Sequence, residues 1–290
     1  MSEKPTTAAG YSSDQVTRVR STCLYLATKL GDLMDELVVV GGLVPSLLID
    51  QEKLPPHVPP HVGTMDLDLG LAFALVGQQR YQAVAERLRA AGFTMDVNEE
   101  GQPTRQRWRI SSPPVTVDFL IEPEGNAEAQ AGRLFPLARD WAAIIAPGLH
   151  LAFKNNKTAT LAGRTITGER ASRDIRVCGP GAFVVLKALA FHIRGENKDA
   201  YDLFYLLRNY GRNVSDVAVQ LRPLLPDQSA AKAFEYLRAD FPNTEAIGPR
   251  RVAEFLYGRP DPDTQADAVG FVRRLLAECE QGASASSFPR

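Results

Sequence analysis

The sequence predicts an α/β (α+β) lobe over residues 1–178, a helical lobe over residues 179–282 and a flexible tail at 283–290. Three observations predict it. An apolar, mostly β-branched run at residues 37–40 ends on Gly41-Gly42, which reads as a buried strand followed by a turn where the backbone can approach something closely. Residues 66–69, Asp-Leu-Asp-Leu, and residues 115–121, Val-Thr-Val-Asp-Phe-Leu-Ile, alternate with the period of two that belongs to strands. From Pro180 onward the apolar residues recur at helical spacing and continue to do so.

Each element follows in turn. Ser12-Ser13-Asp14 supplies an N-cap, and Val16, Val19, Cys23, Leu26, Leu30 and Leu33 predict a helix reaching about Asp35. A short helix with Leu43, Leu47 and Leu48 follows the glycine pair. Four prolines within residues 54–61 make an extended, stiff loop that cannot enter a sheet interior. Residues 78–91 read as a helix closed by Gly92, residues 93–97 as a short strand, and residues 105–111 as a strand broken by Pro113-Pro114. Further strands are expected at residues 149–153 and 158–166, beside the basic, polar stretch at 168–176. Helices are expected at 181–194, 199–210, 213–222, 228–240, 248–257 and 264–280. The first dozen residues read as a frayed end.

Composition bounds the function. A chain of 290 residues with 44% hydrophobic and 23% charged residues can bury a full core and has the balance of a soluble globular protein. A formal net charge of −1 excludes a global basic field, so contact with nucleic acid requires a local patch. Cys23, Cys178 and Cys279 are odd in number and far apart, which suits reduced thiols and a cytoplasmic location. No run approaches the ~18 apolar residues of a membrane span, and the N-terminus lacks the form of a signal peptide, so no membrane association is expected.

The chemistry concentrates on carboxylates. A strand over residues 66–69 puts Asp66 and Asp68 on one face, about 7 Å apart, where they repel unless a cation lies near; a divalent metal is the natural partner. Asp118, in the middle of a largely apolar strand, costs free energy unless it is paired or binds metal, and reads as a third carboxylate. An Asp-x-Asp is weak by itself: Asp261-Pro262-Asp263 has the same spacing in what reads as a solvated turn. Lys187 on an amphipathic helix is by default a snorkelling lysine, Lys198-Asp199 reads equally as surface pairing, and His57 and His61 have no third ligand to make a metal site.

Taken together, Gly41-Gly42 with its short helix, Asp66-x-Asp68 on one strand and Asp118 on a later one resemble the nucleotidyltransferase fold, with its mixed sheet, shared by DNA polymerase β and its relatives. The stretch K-A-L-A-F-H-I-R-G-E-N-K-D-A-Y-D-L, residues 187–203, is similar to the second half of the AbiEii/AbiGii (MenT-like) nucleotidyltransferase toxins. The pieces span roughly residues 36–210. The resemblance implies Mg²⁺ (or Mn²⁺) on Asp66 and Asp68, an NTP as co-substrate, Lys187 against the triphosphate, and Asp202 or Asp199 completing the site, with Arg194 among the nucleotide-binding residues and Thr64 as the family's small hydroxyl. Asp118 would hold the ion nearer the acceptor and receive its proton, while Gly41 and Gly42 present backbone N–H groups to the phosphates. Many members carry an arginine where this chain has Val62, so another donor is needed, with Arg164, Arg170 and Arg173 as candidates. The implied activity is NMP transfer to an RNA acceptor, tRNA above all, by a toxin with a possible cognate antitoxin protein. A same-fold transferase acting on a small molecule or a protein hydroxyl, and a non-catalytic nucleotide-binding protein, are the alternatives.

Overall fold

The computed structural model describes residues 5–72, 78–98, 100–111, 114–125 and 127–285, and they fall into two compact units. Ser12–Leu47 and Val62–Cys178 form the first; residues 5–11, Leu48–His61 and residues 179–285 form the second.

The first unit is a mixed α/β structure. Helix α1 (Ser13–Leu30) starts on a capping box in which the Ser12 hydroxyl accepts from the Gln15 N–H and the Gln15 side chain accepts from the Ser12 N–H. It ends before the expected Asp35, because residues 31–36 tighten into 3₁₀ turns. Strand β1 (Leu37–Val40) leads through a 3₁₀ turn at Gly41–Leu43 into α2 (Val44–Leu48). Then come β2 (Asp66–Leu71), α3 (Gln78–Ala90), β3 (Thr94–Val97), β4 (Pro103–Ser111) and β5 (Pro114–Ile121). The remaining elements are β6 (Leu134–Pro136), β7 (Ala142–Ile145), α4 (His150–Lys154), β8 (Asn156–Arg164) and β9 (Arg170–Cys178).

Among the described residues the strands make one sheet in the order β3-β4-β5-β2-β1-β9-β8, with β7 also on β5 and β6 on β7. It is mixed: β2 and β5, β1 and β9, and β5 and β7 run parallel, and the other pairs antiparallel. One face carries Leu67, Leu69, Val117, Phe119 and Trp108, all fully buried. Trp141 stands edge-on to Phe119 at 5.0 Å and to Trp108 and Tyr81 of α3 at 6.1 Å, so α3 covers this apolar face.

Residues 149–153 are not a strand. Five apolar-rich residues cannot be told from a helix by periodicity, and a distant side chain decides the matter. The Glu122 carboxylate accepts from the N–H groups of Gly148 and His150, both at 2.9 Å, and from His150 Nδ1 at 2.6 Å, which caps α4. The short strands β6 and β7 carry too few residues to show a period.

The second unit is helical: α5 (Pro180–Arg194), α6 (Asn197–Asn209), α7 (Val214–Leu221), α8 (Gln228–Asp240), α9 (Ile247–Tyr257) and α10 (Pro262–Ala285). Gly195, left-handed at φ 67°, closes α5 so that α6 follows at once and packs beside it. Asp261 is the N-cap of α10, its Oδ1 accepting from the Thr264 N–H at 2.9 Å, so that Asp-x-Asp is a helix start. Residues 5–11 pack here instead of fraying: Tyr11 lies 5.7 Å from Phe255, and Asn197 donates to the Thr6 carbonyl. Helix α10 runs through Ala285, so residues 283–285 are helical; residues 286–290, the remainder of the expected tail, and residues 1–4 lie outside the described residues.

All three cysteines are buried and outside any disulfide, and burial pushes the Cys23 thiol up to about 12 and the Cys279 thiol up to about 11, so neither is a thiolate near neutrality. Among the described residues no helix is long and apolar enough to cross a membrane.

Candidate functional site

Alternation along β2 places Asp66, Asp68 and Gly70 on the face opposite Leu67 and Leu69. In the parallel pairing of β2 with β5, Asp68 lies beside Asp118 and Asp66 beside Thr116. Neighbouring strands are about 4.8 Å apart, so Asp68 and Asp118 start as close neighbours. The antiparallel pairing of β4 with β5 then sets Arg107 beside Asp118, and the row reads Val40, Asp68, Asp118, Arg107 across four strands.

Arg107 grips Asp118 bidentately. Its Nε donates to Oδ1 at 2.7 Å and its Nη2 to Oδ2 at 2.5 Å, while Nη2 stands 3.7 Å from Asp66 Oδ2. The hydrogen bond to Asp118, against the cost of burial and with the charges of Asp118, Asp66 and Asp68 behind it, holds the guanidinium well above its usual range. Cations on this face therefore include one from the chain itself.

The glycine turn is built onto the same face. Gly41 has φ 70°, which side chains rarely adopt, and a Cβ there would stand 1.9 Å from Asp68 Oδ2. What the backbone approaches closely is thus the Asp68 carboxylate. Gly42 is buried in the same 3₁₀ turn, and the Thr64 hydroxyl accepts a long hydrogen bond, 3.4 Å, from the Asp66 N–H.

Among the described residues no three His, Cys, Asp or Glu side chains are already gathered to hold a metal. The donor chemistry nevertheless fits a hard divalent ion: three carboxylates share the face and one guanidinium offsets a single charge. Asp66 and Asp68 are the pair suited to hold it, since both oxygens of Asp118 are engaged by Arg107.

In the second unit, Lys187 on α5 meets Asp199 and Asp202, which are three residues apart and so share one face of α6. Lys187 Nζ is 2.7 Å from Asp199 Oδ1 and 2.7 Å from Asp202 Oδ2. Arg194 forks onto Asp199 at 2.6 and 2.9 Å, and Lys198 pairs with Asp202, not with Asp199 as the surface reading had it. Burial alone would lower Lys187, but the two aspartates outweigh it and hold the ammonium above its ordinary value. Burial alone would raise Asp199, but Lys187 and Arg194 hold it down, to about 2.

No family model and no curated protein matches this chain.

His61 completes the second cluster. It is buried, stacked 5.4 Å from Tyr201 and edge-on to Tyr205 at 4.8 Å, with Nε2 2.8 Å from Asp202 Oδ1. Because an ionised carboxylate only accepts, Nε2 carries the proton. The proline-rich stretch is tied down around it: Gln51 Oε1 accepts from the His61 N–H at 2.7 Å and from the Tyr205 hydroxyl at 3.0 Å. Burial, then the nearby Lys198 charge, pushes His61 down to about 4. Its folded value lies below the unfolded ~6.5, so between pH 6.5 and 4 the unfolded chain binds the extra proton. Stability from this group is complete above pH 6.5 and is lost as pH falls to 4, by ~3 kcal/mol in total. Urea midpoints taken across that window are expected to fall steadily and the His61→Asn midpoints to stay flatter; a flat wild-type profile counts against a buried neutral histidine.

From Arg170 on, the basic stretch at 168–176 lies in strand β9, which is paired along its length with β8. Alternation puts Arg170 and Arg176 on one face, with Arg164 opposite Arg170 and Asp174 between them, while Arg173 points to the other face with Ile175. All four arginines are exposed. The expected residues therefore fall into two groups: Gly41, Gly42, Thr64, Asp66, Asp68 and Asp118 in the first unit, and Lys187, Arg194, Asp199 and Asp202 in the second. Sequence reasoning missed Arg107 at the carboxylates and His61 and Lys198 on Asp202. Alternation in residues 105–111 puts Arg107 on a polar face, but only strand register reveals which residue it meets.

Proposed function

We propose that this protein is a metal-dependent nucleotidyltransferase of the DNA polymerase β-like fold, moving an NMP from an NTP to an RNA acceptor, with tRNA the first candidate. The observation that carries the reading is that Asp66, Asp68 and Asp118 lie on one face of the sheet, Asp68 and Asp118 in cross-strand register, with the Gly41 turn packed against Asp68. A divalent ion held by Asp66 and Asp68 would supply the charge stabilisation that in-line displacement at an α-phosphate needs. The chain's own residues do the rest. Gly41 brings backbone close to the Asp68 carboxylate with no side chain in the way, and Gly42 follows it in the same turn. Arg107 orients Asp118 and neutralises part of the face.

In the second unit three cations, Lys187, Lys198 and Arg194, face two carboxylates, so the cluster keeps a positive surplus suited to phosphate. The exposed arginines of the β8–β9 hairpin support an acidic polymer as acceptor, because phosphate contacts dominate such affinity. A toxin role and a cognate antitoxin remain part of the proposal through the resemblance.

A second reading, a non-catalytic member of the fold, is favoured by Arg107 already supplying a cation to the carboxylates. The test separates them. Incubating the protein with each labelled NTP, Mg²⁺ and total RNA is expected to transfer label to RNA, in the tRNA band first. Absence of label with every NTP, in Mg²⁺ and in Mn²⁺, overturns transfer to RNA; absence also when small-molecule and protein acceptors are added favours the second reading.

A further inference from the structure

We infer that Arg107 is a built-in counter-cation that competes with divalent ions for the carboxylate face, keeping the site closed to metal until the ion displaces it. The inference rests on the proposed metal site and concerns what governs its occupancy.

The geometry is that of a latch on Asp118. Both Asp118 oxygens accept from Arg107, at 2.7 and 2.5 Å, and the same Nη2 reaches toward Asp66 at 3.7 Å. The Arg107 and Asp118 side chains are 19% and 5% exposed, so water screens the pair poorly. An arginine cannot give up its proton, so the positive charge stays on the face at every accessible pH. A fork on a carboxylate fixes both partners, and β4 and β5 hold the two backbones in direct register.

Consider the carboxylates without Arg107. Asp68 and Asp118 are cross-strand neighbours and Asp66 shares their face, a like-charge arrangement that destabilises the sheet. Arg107 relieves that repulsion in the absence of metal. By the same charge it repels a divalent ion, and it withholds one of the three possible ligands. It is a positioning residue: it acts through Asp118 and through the field at Asp66 and Asp68.

Titrating Mn²⁺ alone into the full chain by calorimetry, with melting curves in Mn²⁺ and in chelator, tests this for wild type, Arg107→Gln, Arg107→Lys and Asp66→Asn. Arg107→Gln is expected to bind Mn²⁺ about tenfold more tightly than wild type, to melt lower in chelator and to gain more from Mn²⁺. Arg107→Lys, which keeps the charge, is expected to stay within about threefold of wild type. If Arg107→Gln is unstable in chelator, its recovery in Mn²⁺ is the reading, and failure to recover overturns the inference. If wild type binds Mn²⁺, Asp66→Asn does not, and Arg107→Gln binds no more tightly than wild type, the metal site stands and the competition falls. If neither wild type nor Arg107→Gln binds Mn²⁺, both fall.

Discussion

Asp66→Asn and Asp68→Asn are each expected to cut NMP transfer by roughly 10²–10³-fold or more, the range for losing one principal electrostatic contributor to a transition state. The two substitutions keep shape and remove charge, so the loss isolates the carboxylate. The sign of the stability change makes the prediction specific. Asp66 and Asp68 share a face with Asp118, and Arg107 offsets part of their charge. Neutralising one of three like charges relieves repulsion, so in chelator the variants are expected to be as stable as wild type or slightly more so. Activity and stability should therefore move in opposite directions. Label transfer in the presence of RNA, paired with urea midpoints in chelator, checks both. Full transfer by either variant removes these carboxylates from the chemistry; a large loss of stability shows that they are structural instead.

Asp202→Asn is expected to cost about 3–5 kcal/mol, the penalty for stranding buried charge. Asp202 is fully buried and is shared by Lys187, Lys198 and His61. The asparagine can still accept from His61, but Lys198 loses its carboxylate partner while staying largely buried, and Lys187 keeps only Asp199. The melting midpoint should fall on the order of 10 °C. Asp174→Asn, on the exposed face of β9, is the control and should stay within about 0.5 kcal/mol of wild type. An Asp202→Asn loss under about 1 kcal/mol would show that the lysines relax toward water without it. Because Asp202 is also a candidate nucleotide-site residue, this prediction is read from stability alone.

Several elements were legible from local pattern. Leu37–Val40, Asp66–Leu71 and Pro114–Ile121 stand as strands where alternation or an apolar run marks them, and the helices after Pro180 follow the change of period. In the same way the sequence determined which face Asp66, Asp68 and Asp118 occupy, because the direction of a side chain from a strand depends only on the parity of its position. The glycine pair announced a close approach, and its partner proved to be Asp68.

Only the tertiary structure decided what these charges meet. Arg107 reaches Asp118 because β4 lies antiparallel on β5 in one register; a shift of one residue would put Trp108 there and turn the arginine to the apolar side. Lys187, Lys198, Arg194 and His61 share Asp199 and Asp202 because α5, α6 and the proline-rich stretch come together, and no periodicity encodes that meeting. Helix α4 was settled by Glu122, 28 residues before His150. Periodicity is a property of neighbours along the chain, whereas the partner of a buried charge is set by register and packing between segments far apart in it.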